Sequence, residues 1–364
     1  MKVLISGGGT GGHVFPAIAI ADALKSLCPN LDILFVGALG KLEMTEVPKA
    51  GYKIIGLDIQ GFQRKIGLAP FKTFWKLGKA LLKSRSILKS FKPDVVVGVG
   101  GYASGAIMKA AQWSSIPTVI QEQNSYPGLT NRWMADHVNF ICAAFEEVKT
   151  FFPKTKVYIT GNPVRQNFNK LVDKNIAYEY FGLDSTKKTF CVFGGSLGAA
   201  TMNKVILEAL PQIYAREDIQ ILWQVGRKYE EEILKHKIAS IKRVKICSFI
   251  DRMDYAYAIA DIAIARAGAL TIAELAITGT VSILVPSPNV TDDHQTKNAM
   301  SLVQRNAAIL VKDENAIKDL WKTTISLSHD EVKRAEIKKN LLALAKPDAA
   351  KDIAQHIISL IPQK

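Results

Sequence analysis

The sequence predicts an α/β protein of two domains, each built on a parallel sheet. Three observations lead there. The chain has 364 residues, 48% of them hydrophobic and 22% charged, which suits about two ordinary globular cores. Short apolar runs rich in Val and Ile alternate with segments of helical period, the pattern of strands joined by crossover helices. Two glycine clusters, Gly7-Gly8-Gly9-Thr10-Gly11-Gly12-His13 and Gly194-Gly195-Ser196-Leu197-Gly198-Ala199-Ala200, each sit between an apolar run and an amphipathic stretch.

Taken in order, the first series of expected strands is Lys2–Ser6, Asp32–Val36, Lys53–Leu57, Val95–Val99, Thr118–Gln121, Val138–Cys142 and Val157–Thr160. Turn residues at Gly161-Asn162-Pro163-Val164 end it. The second series is Thr189–Phe193, Ile219–Gln224, Val244–Ser248, Ile262–Ala265, Ser282–Val285 and Ala308–Val311. The first glycine cluster should open into a helix over Val14–Leu27 and the second into one over Met202–Leu210. The charged tail from Asp313 to Lys364 carries no further strand pattern. The expected domains are therefore residues 1–163 and 164–344, with a C-terminal helix at about 345–364 packing back on the first.

Backbone N–H groups at a strand–glycine–helix turn, with the helix N-terminus behind them, suit a phosphate or another anion. Two such turns imply two Rossmann-like domains facing across a cleft, with a nucleotide-activated donor on one side and an acceptor on the other. Three further segments follow strands: Gly98-Val99-Gly100-Gly101-Tyr102, Gln121-Glu122-Gln123-Asn124, and Arg266-Ala267-Gly268-Ala269-Leu270-Thr271 ahead of a helix bearing Glu274. Ligands gather at the carboxyl ends of strands in such sheets.

Several readings fail. Gly7, Gly9 and Gly12 satisfy G-x-G-x-x-G, but the second strand ends Phe35-Val36-Gly37 and the next acid is Glu43. The ribose-binding acid of a dinucleotide site is missing, which argues against a nicotinamide-dependent oxidoreductase. There is no P-loop and no Asp-x-Asp pair; Asp292-Asp293 is adjacent and suits a helix cap. No metal site or cofactor is expected, so phosphate charge falls to helix N-termini, backbone N–H groups and a cation such as Arg165. Cys28, Cys142, Cys191 and Cys247 lack metal or disulfide spacing and fit a reducing cytoplasm. No secretory signal or transmembrane span is read.

The net charge is +14, and no Asp or Glu occurs between Ile59 and Pro93. Lys72, Lys76, Lys79 and Lys83 form one helical stripe there, beside an apolar stripe of Phe71, Phe74, Trp75, Leu81 and Leu82. A basic amphipathic helix with aromatics reads as a membrane-surface element, and equally as a core helix with a solvated lysine face. Trp113 belongs either to the same patch or to the core. No nucleic-acid signature accompanies the charge, so nucleic acid is not an expected partner.

These motifs, in this order and over nearly the whole chain, resemble the MurG family of bacterial peptidoglycan N-acetylglucosaminyltransferases. The matching segments are Gly8–Ala17, Gly98–Gly105, Gln121–Asn124, Gly128-Leu129-Thr130-Asn131, Gly161–Arg165, Gly194–Ala199 and Arg266–Thr271. The resemblance implies the GT-B type of glycosyltransferase fold. It implies inverting transfer from UDP-N-acetylglucosamine to the muramyl O4 of lipid I, giving lipid II, on the cytoplasmic face of the bacterial inner membrane. Roles in peptidoglycan synthesis, cell shape and cell division, an anionic membrane surface, and other cell-wall enzymes as partners come with it. Ser196 and the following amides would meet the donor phosphates. Ile250 would contact uracil through its backbone. Ala269, Leu270 and Thr271 would face diphosphate and sugar, Glu274 the ribose hydroxyls, and Gln295 the sugar hydroxyls. Thr10, Gly11, Gly12, Asn124 and Arg165 would complete the donor side. The neighbours of Gln295, Asp293-His294 and Thr296-Lys297, depart from the family's pattern.

Inverting transfer needs a base for the attacking hydroxyl and donors for the leaving diphosphate. His13 and Glu122 are the catalytic candidates. His13 is either the base or a residue bonding a loop carbonyl. Glu122 is either the base or a buried carboxylate holding loop N–H groups. Arg165 is a phosphate ligand or an ion-pair partner. Another sugar-nucleotide transferase or epimerase of the same fold would share the donor half and differ around Tyr102 and Gln121–Asn124.

Overall fold

A computed structural model describes residues 1–59, 69–165, 168, 172–195 and 197–361, with backbone alone at 69–74 and 291. The chain forms two compact units. One holds Met1–Arg165 and the C-terminal segment from Lys346 onward; the other ends at Ala345.

In the first unit the elements run β1 (Lys2–Gly7), α1 (Gly11–Leu27), β2 (Asp32–Ala38), α2 (Glu43–Lys49), β3 (Lys53–Leu57), α3 (Ala69–Phe91), β4 (Val95–Gly100), α4 (Tyr102–Trp113), β5 (Thr118–Glu122), α5 (Leu129–Met134), β6 (Phe140–Ala143) and β7 (Val157–Ile159). The second unit continues with α6 (Lys174–Phe181), β8 (Lys188–Phe193), α7 (Ala200–Glu208), α8 (Leu210–Tyr214), β9 (Ile219–Gln224), α9 (Glu230–Leu234), β10 (Val244–Cys247), α10 (Met253–Ile259), β11 (Ile262–Ala265), α11 (Ala269–Thr278), β12 (Ser282–Leu284), α12 (His294–Val303), β13 (Ile309–Leu310), α13 (Ala316–His329) and α14 (Glu331–Leu344). The last helix, α15 (Ala349–Ile358), belongs to the first unit.

Both sheets are parallel and Rossmann-like. The first has the order β3-β2-β1-β4-β5-β6-β7 and the second β10-β9-β8-β11-β12-β13. Strands buried on both faces read as continuous apolar runs, and Val95–Gly100 is buried throughout. Alternation then decides which face each side chain serves. Val3, Ile5, Phe35, Val95 and Val97 pack with α1 and with Ile353, Ala354 and Ile357 of α15. Leu4, Leu34, Val36 and Val96 pack on the other face with Ile107 and Met108 of α4 and Ile87 and Leu88 of α3. Strand order reverses direction between β1 and β4, and again between β8 and β11. Each glycine turn lies at one of these switch points, where parallel sheets open a crevice.

Most strand ends shift by a residue or two from the sequence reading, and three of the shifts have a plain local cause. β6 begins at Phe140 because a tight turn over Ala135–His137 precedes it and Asn139 Oδ1 accepts from the Thr118 N–H at 3.0 Å. Helix α1 begins at Gly11, since the Thr10 carbonyl already accepts from His13 and Val14. The helix after the second glycine turn ends at Glu208, and Pro211 starts a new one.

Candidate active site

At the first switch point three loops meet. The Gly8 N–H donates to the Gly100 carbonyl at 3.3 Å, tying the β1–α1 turn to the β4–α4 turn. Gly100 and Gly101 have φ of 103° and 91°. A Cβ at Gly101 would stand 2.5 Å from the Gly8 oxygen, and one at Gly100 would stand 2.8 Å from His13 Nε2. Both positions therefore require glycine, for space and for backbone conformation. His13 Nδ1 lies 3.1 Å from the Gly8 carbonyl and 3.3 Å from Thr10 Oγ1. The carbonyl only accepts, so Nδ1 carries the proton that satisfies this contact.

The third loop brings a residue that sequence reasoning passed over. Glu43 is 0% exposed. Its Oε2 accepts from the Gly9 N–H and its Oε1 from the Ala38 N–H, both at 2.9 Å. A side chain at Gly8 or Gly37 would run into this carboxylate or its stem. The first acid after the second strand is thus turned inward. One N–H of the turn expected to hold phosphate already has an anion of the protein's own.

Gln121, Glu122, Gln123 and Asn124 form the end of β5 and the turn beyond it. Gln121 Nε2 donates to Asn162 Oδ1 at 3.1 Å, Asn162 Nδ2 to the Gln123 carbonyl at 3.0 Å, and Gln123 Nε2 to the Val99 carbonyl at 2.8 Å and to Gln121 Oε1. Fully paired buried amides of this kind make a rigid platform. Glu122 is 1% exposed. It accepts from the N–H groups of Asn124 (3.0 Å) and Gly128 (3.1 Å) and from Asn131 Nδ2 (2.8 Å). Burial pushes its carboxyl above the usual range, against these donors, which favour the charged form. This geometry is that of a loop-holding residue. Glu122→Ala is expected to lower folding stability by about 2–4 kcal/mol, because it leaves buried donors without an acceptor; denaturant unfolding checks it, and a loss below about 0.5 kcal/mol would remove this role.

Arg165 falls in the first unit. Its guanidinium lies 5.9 Å from the centroid of the Phe15 ring, and the Phe15 ring in turn closes off the side-chain space of Gly11. The geometry sets Arg165 beside the N-terminal end of α1, near Thr10, Gly11 and Gly12.

In the second unit, Ser196 lies outside the described residues. Around it, Gly195, Gly198 and Gly226 have φ between 76° and 85°, and the backbone of Gly226 passes so close to Gly198 that neither admits a side chain. Trp223 Nε1 donates to Asn203 Oδ1 (3.1 Å) and Asn203 Nδ2 to the Val225 carbonyl (3.0 Å), fixing the turn from below. Arg266 bonds the carbonyls of Val285 and Pro286 and the carboxylate of Asp313, which also accepts from Thr201 Oγ1. It is the staple that holds the β11–α11 turn to its neighbours. Ala269, Leu270 and Thr271 form the first turn of α11. One turn on, Glu274 Oε2 accepts from the Tyr257 hydroxyl at 3.0 Å. Tyr257 is itself wedged between the rings of Phe168 and Phe193. The Ile250 side chain is buried. Gln295 Oε1 accepts from the Ser287 N–H at 2.9 Å, so its oxygen holds the loop after β12. Asp293 stands at the N-cap of α12, but its side chain accepts from Thr296 Oγ1 and makes no cap bond to a helix N–H.

The lysine stripe on α3 is corrected in part. Lys76 pairs with Asp58 at 2.9 Å and Lys83 donates to the Gly56 carbonyl at 2.8 Å, both turned toward β3. The side chains of Phe71, Lys72 and Phe74 lie outside the described residues. Leu81 packs against the core. Trp75 is 67% exposed under Lys79, and Trp113 of α4 is 53% exposed under Arg85 and Lys109. Arg85, Lys89, Lys92 and Ser114 line a pocket of about 330 Å³ beside it. Among the described residues, no helix is long and apolar enough to cross a membrane and no group of acids, His and Cys could hold a metal ion.

Two parallel-sheet Rossmann-like domains with glycine turns at both switch points are the GT-B type of fold. Residues 3–143 match the glycosyltransferase family 28 N-terminal domain and residues 189–356 match the family's C-terminal domain. The chain belongs to glycosyltransferase family 28. It is 49% identical to a UDP-N-acetylglucosamine--N-acetylmuramyl-(pentapeptide) pyrophosphoryl-undecaprenol N-acetylglucosamine transferase of Flavobacterium psychrophilum, over 99% of this chain and 98% of the relative. A transferase of the same name from Parabacteroides distasonis is 47% identical, over 100% and 99%. The crystal structure of Acinetobacter baumannii MurG superimposes with a TM-score of 0.78 at 28% identity, covering 98% of this chain and 99% of that one.

Proposed function

We propose that this chain transfers N-acetylglucosamine from its UDP-linked donor to O4 of the N-acetylmuramyl unit of lipid I, inverting the anomeric carbon and forming lipid II. The observation that carries the reading is near-half identity, along the full length, to transferases named for this reaction. The muramyl hydroxyl attacks C1, the C1–O bond to the diphosphate breaks, and UDP leaves with the electron pair. His13 takes the hydroxyl proton at Nε2. The leaving diphosphate is met by the turn around Ser196, by the first turn of α11 at Ala269, Leu270 and Thr271, and by Arg165, with Thr10, Gly11, Gly12 and Asn124 completing the donor contacts. Backbone at Ile250 reads uracil, and Gln295 reads the sugar hydroxyls through its amide nitrogen. The protein works at an anionic bilayer surface on the cytoplasmic face, through α3 and α4, alongside other cell-wall enzymes.

The test is transfer with purified donor and a lipid I analogue, with the product identified by mass. Formation of the disaccharide lipid is expected; release of UDP with no new glycosidic bond would overturn the reading. UDP-N-acetylglucosamine should raise the melting temperature and NAD should not.

Glu274 is assigned to the ribose hydroxyls, with Tyr257 holding its carboxylate in place. Glu274→Ala should weaken donor binding by about 1.5–3 kcal/mol, as loss of a charged hydrogen bond does. Tyr257→Phe should cost about 0.5–1.5 kcal/mol, since the carboxylate stays but loses its orienting donor. Calorimetry on folded variants decides; unchanged affinity in Glu274→Ala would sink the ribose assignment.

A further inference from the structure

One peptide unit joins two groups already described. The Gly8 carbonyl accepts from His13 Nδ1 at 3.1 Å, and the N–H of the same peptide, Gly9 N–H, donates to Glu43 Oε2 at 2.9 Å. We propose that Glu43 is a positioning residue for His13, acting through the Gly8–Gly9 peptide to keep the imidazole proton on Nδ1 and the basic lone pair on Nε2. The proposal rests on the reading of His13 as the base.

The physical case has three parts. A carboxylate bonded to the N–H end of an amide draws electron density toward the carbonyl end, and hydrogen bonds in such a chain strengthen one another in a low-dielectric interior. The Gly8 oxygen therefore becomes a better acceptor for Nδ1–H, and a better partner for the positive charge that develops on the ring as Nε2 takes a proton. Second, the unit is fixed at both ends. The second carboxylate oxygen is tied to the Ala38 N–H, Glu43 is wholly buried, and Gly9, with a φ of 90°, sits in a backbone conformation that favours glycine. Third, the glycines are spaced for this purpose. A Cβ at Gly8 would overlap the Glu43 carboxylate, one at Gly101 would overlap the Gly8 carbonyl, and one at Gly100 would overlap the imidazole. The direct carboxylate–imidazole contact that commonly fixes a histidine tautomer is here lengthened by one peptide. Thr10 Oγ1, at 3.3 Å from Nδ1, shares the same proton as a second acceptor.

The primary experiment needs no substitution at Glu43. In full-length protein labelled with ¹⁵N-histidine, the His13 signals are assigned by their loss in His13→Ala. At a pH where the ring is neutral, Nδ1 should appear as the protonated nitrogen and Nε2 as the unprotonated one. The opposite tautomer in the parent protein overturns the proposal. Glu43→Gln keeps the shape but has one accepting oxygen and no charge, so the signals should move toward a mixture of the two tautomers. In the same variant kcat should fall by about tenfold or more while the donor KM stays within about twofold. In a His13→Ala background Glu43→Gln should change kcat by less than about twofold, because the residue acts only through His13. Tautomer and kcat unchanged in Glu43→Gln, or a full additional loss in the double variant, would overturn the proposal. Glu43→Asp, which withdraws the carboxylate from Gly9, is measured in parallel in case Glu43→Gln does not fold, and the same outcomes apply. Full turnover in His13→Ala would instead remove the base reading, a different result from the wrong tautomer.

Discussion

His13→Ala is expected to lower turnover by about a hundredfold or more and to leave donor affinity within about twofold. The expectation follows from what each candidate base can reach. His13 is half-buried at the carboxyl end of β1, with Nδ1 committed to the Gly8 carbonyl and the ring laid over Gly100. This arrangement fixes the ring plane and assigns proton acceptance to Nε2. Glu122 is at the end of β5 but is almost wholly buried, and both its oxygens are engaged by loop donors. For Glu122 to accept a proton from an acceptor hydroxyl, the 124–131 loop would have to release it. Glu122→Gln should therefore lower the melting temperature along with activity, whereas His13→Ala should lower activity with little change in melting temperature. The comparison needs turnover, donor affinity and melting temperature on both variants. If His13→Ala keeps more than about a tenth of parental turnover, the base lies elsewhere.

The strands were largely legible because parallel strands buried on both faces leave an apolar signature that needs no knowledge of partners. Lys53–Leu57, Ile219–Gln224 and Ile262–Ala265 fall where the pattern puts them. The glycine turns were legible for a similar reason, since left-handed backbone at Gly195 and Gly198 is a local demand that glycine alone meets cheaply. Long-range partners were not. Nothing in the neighbourhood of Glu43 says that its carboxylate reaches back to residue 9. A glycine at 8 that is crowded by an acid at 43 is visible only once β1 and β2 lie side by side. The same holds for Tyr257 and Glu274, and for Lys76 and Lys83, whose place on one helical stripe hid the fact that β3 and Asp58 engage them. The family motifs carried the site assignments further than periodicity could, because they specify backbone turns and side-chain types together.

The proposed membrane attachment is expected to divide the cations of α3 into two sets. Replacing Lys79, Arg85 and Lys89 with Gln should weaken binding to anionic vesicles by about a hundredfold at low salt, at about 1 kcal/mol for each cation near a charged surface. Adding Trp75→Ser and Trp113→Ser should remove most of what remains at high salt, where screening has already cut the charge contribution. The reasoning is one of geometry. Lys79 and Arg85 sit over the exposed rings of Trp75 and Trp113, so charge and apolar surface are presented together, as interfacial binding requires. Leu82, 67% exposed on the same helix, adds to the apolar term. Lys76 brings Asp58 with it, a pair with no net charge, and Lys83 is drawn to the Gly56 carbonyl. Lys76→Gln and Lys83→Gln combined with Asp58→Asn, a net loss of one positive charge, should therefore cost less than about tenfold. Vesicle sedimentation across a salt series measures both sets, with donor affinity as the control for folding, since Glu274 and its partner Tyr257 belong to the other unit. If the Lys79, Arg85 and Lys89 variant binds as the parent does, or the Lys76, Lys83 and Asp58 variant loses as much, then α3 is a solvated helix face and the bilayer contact lies on another surface.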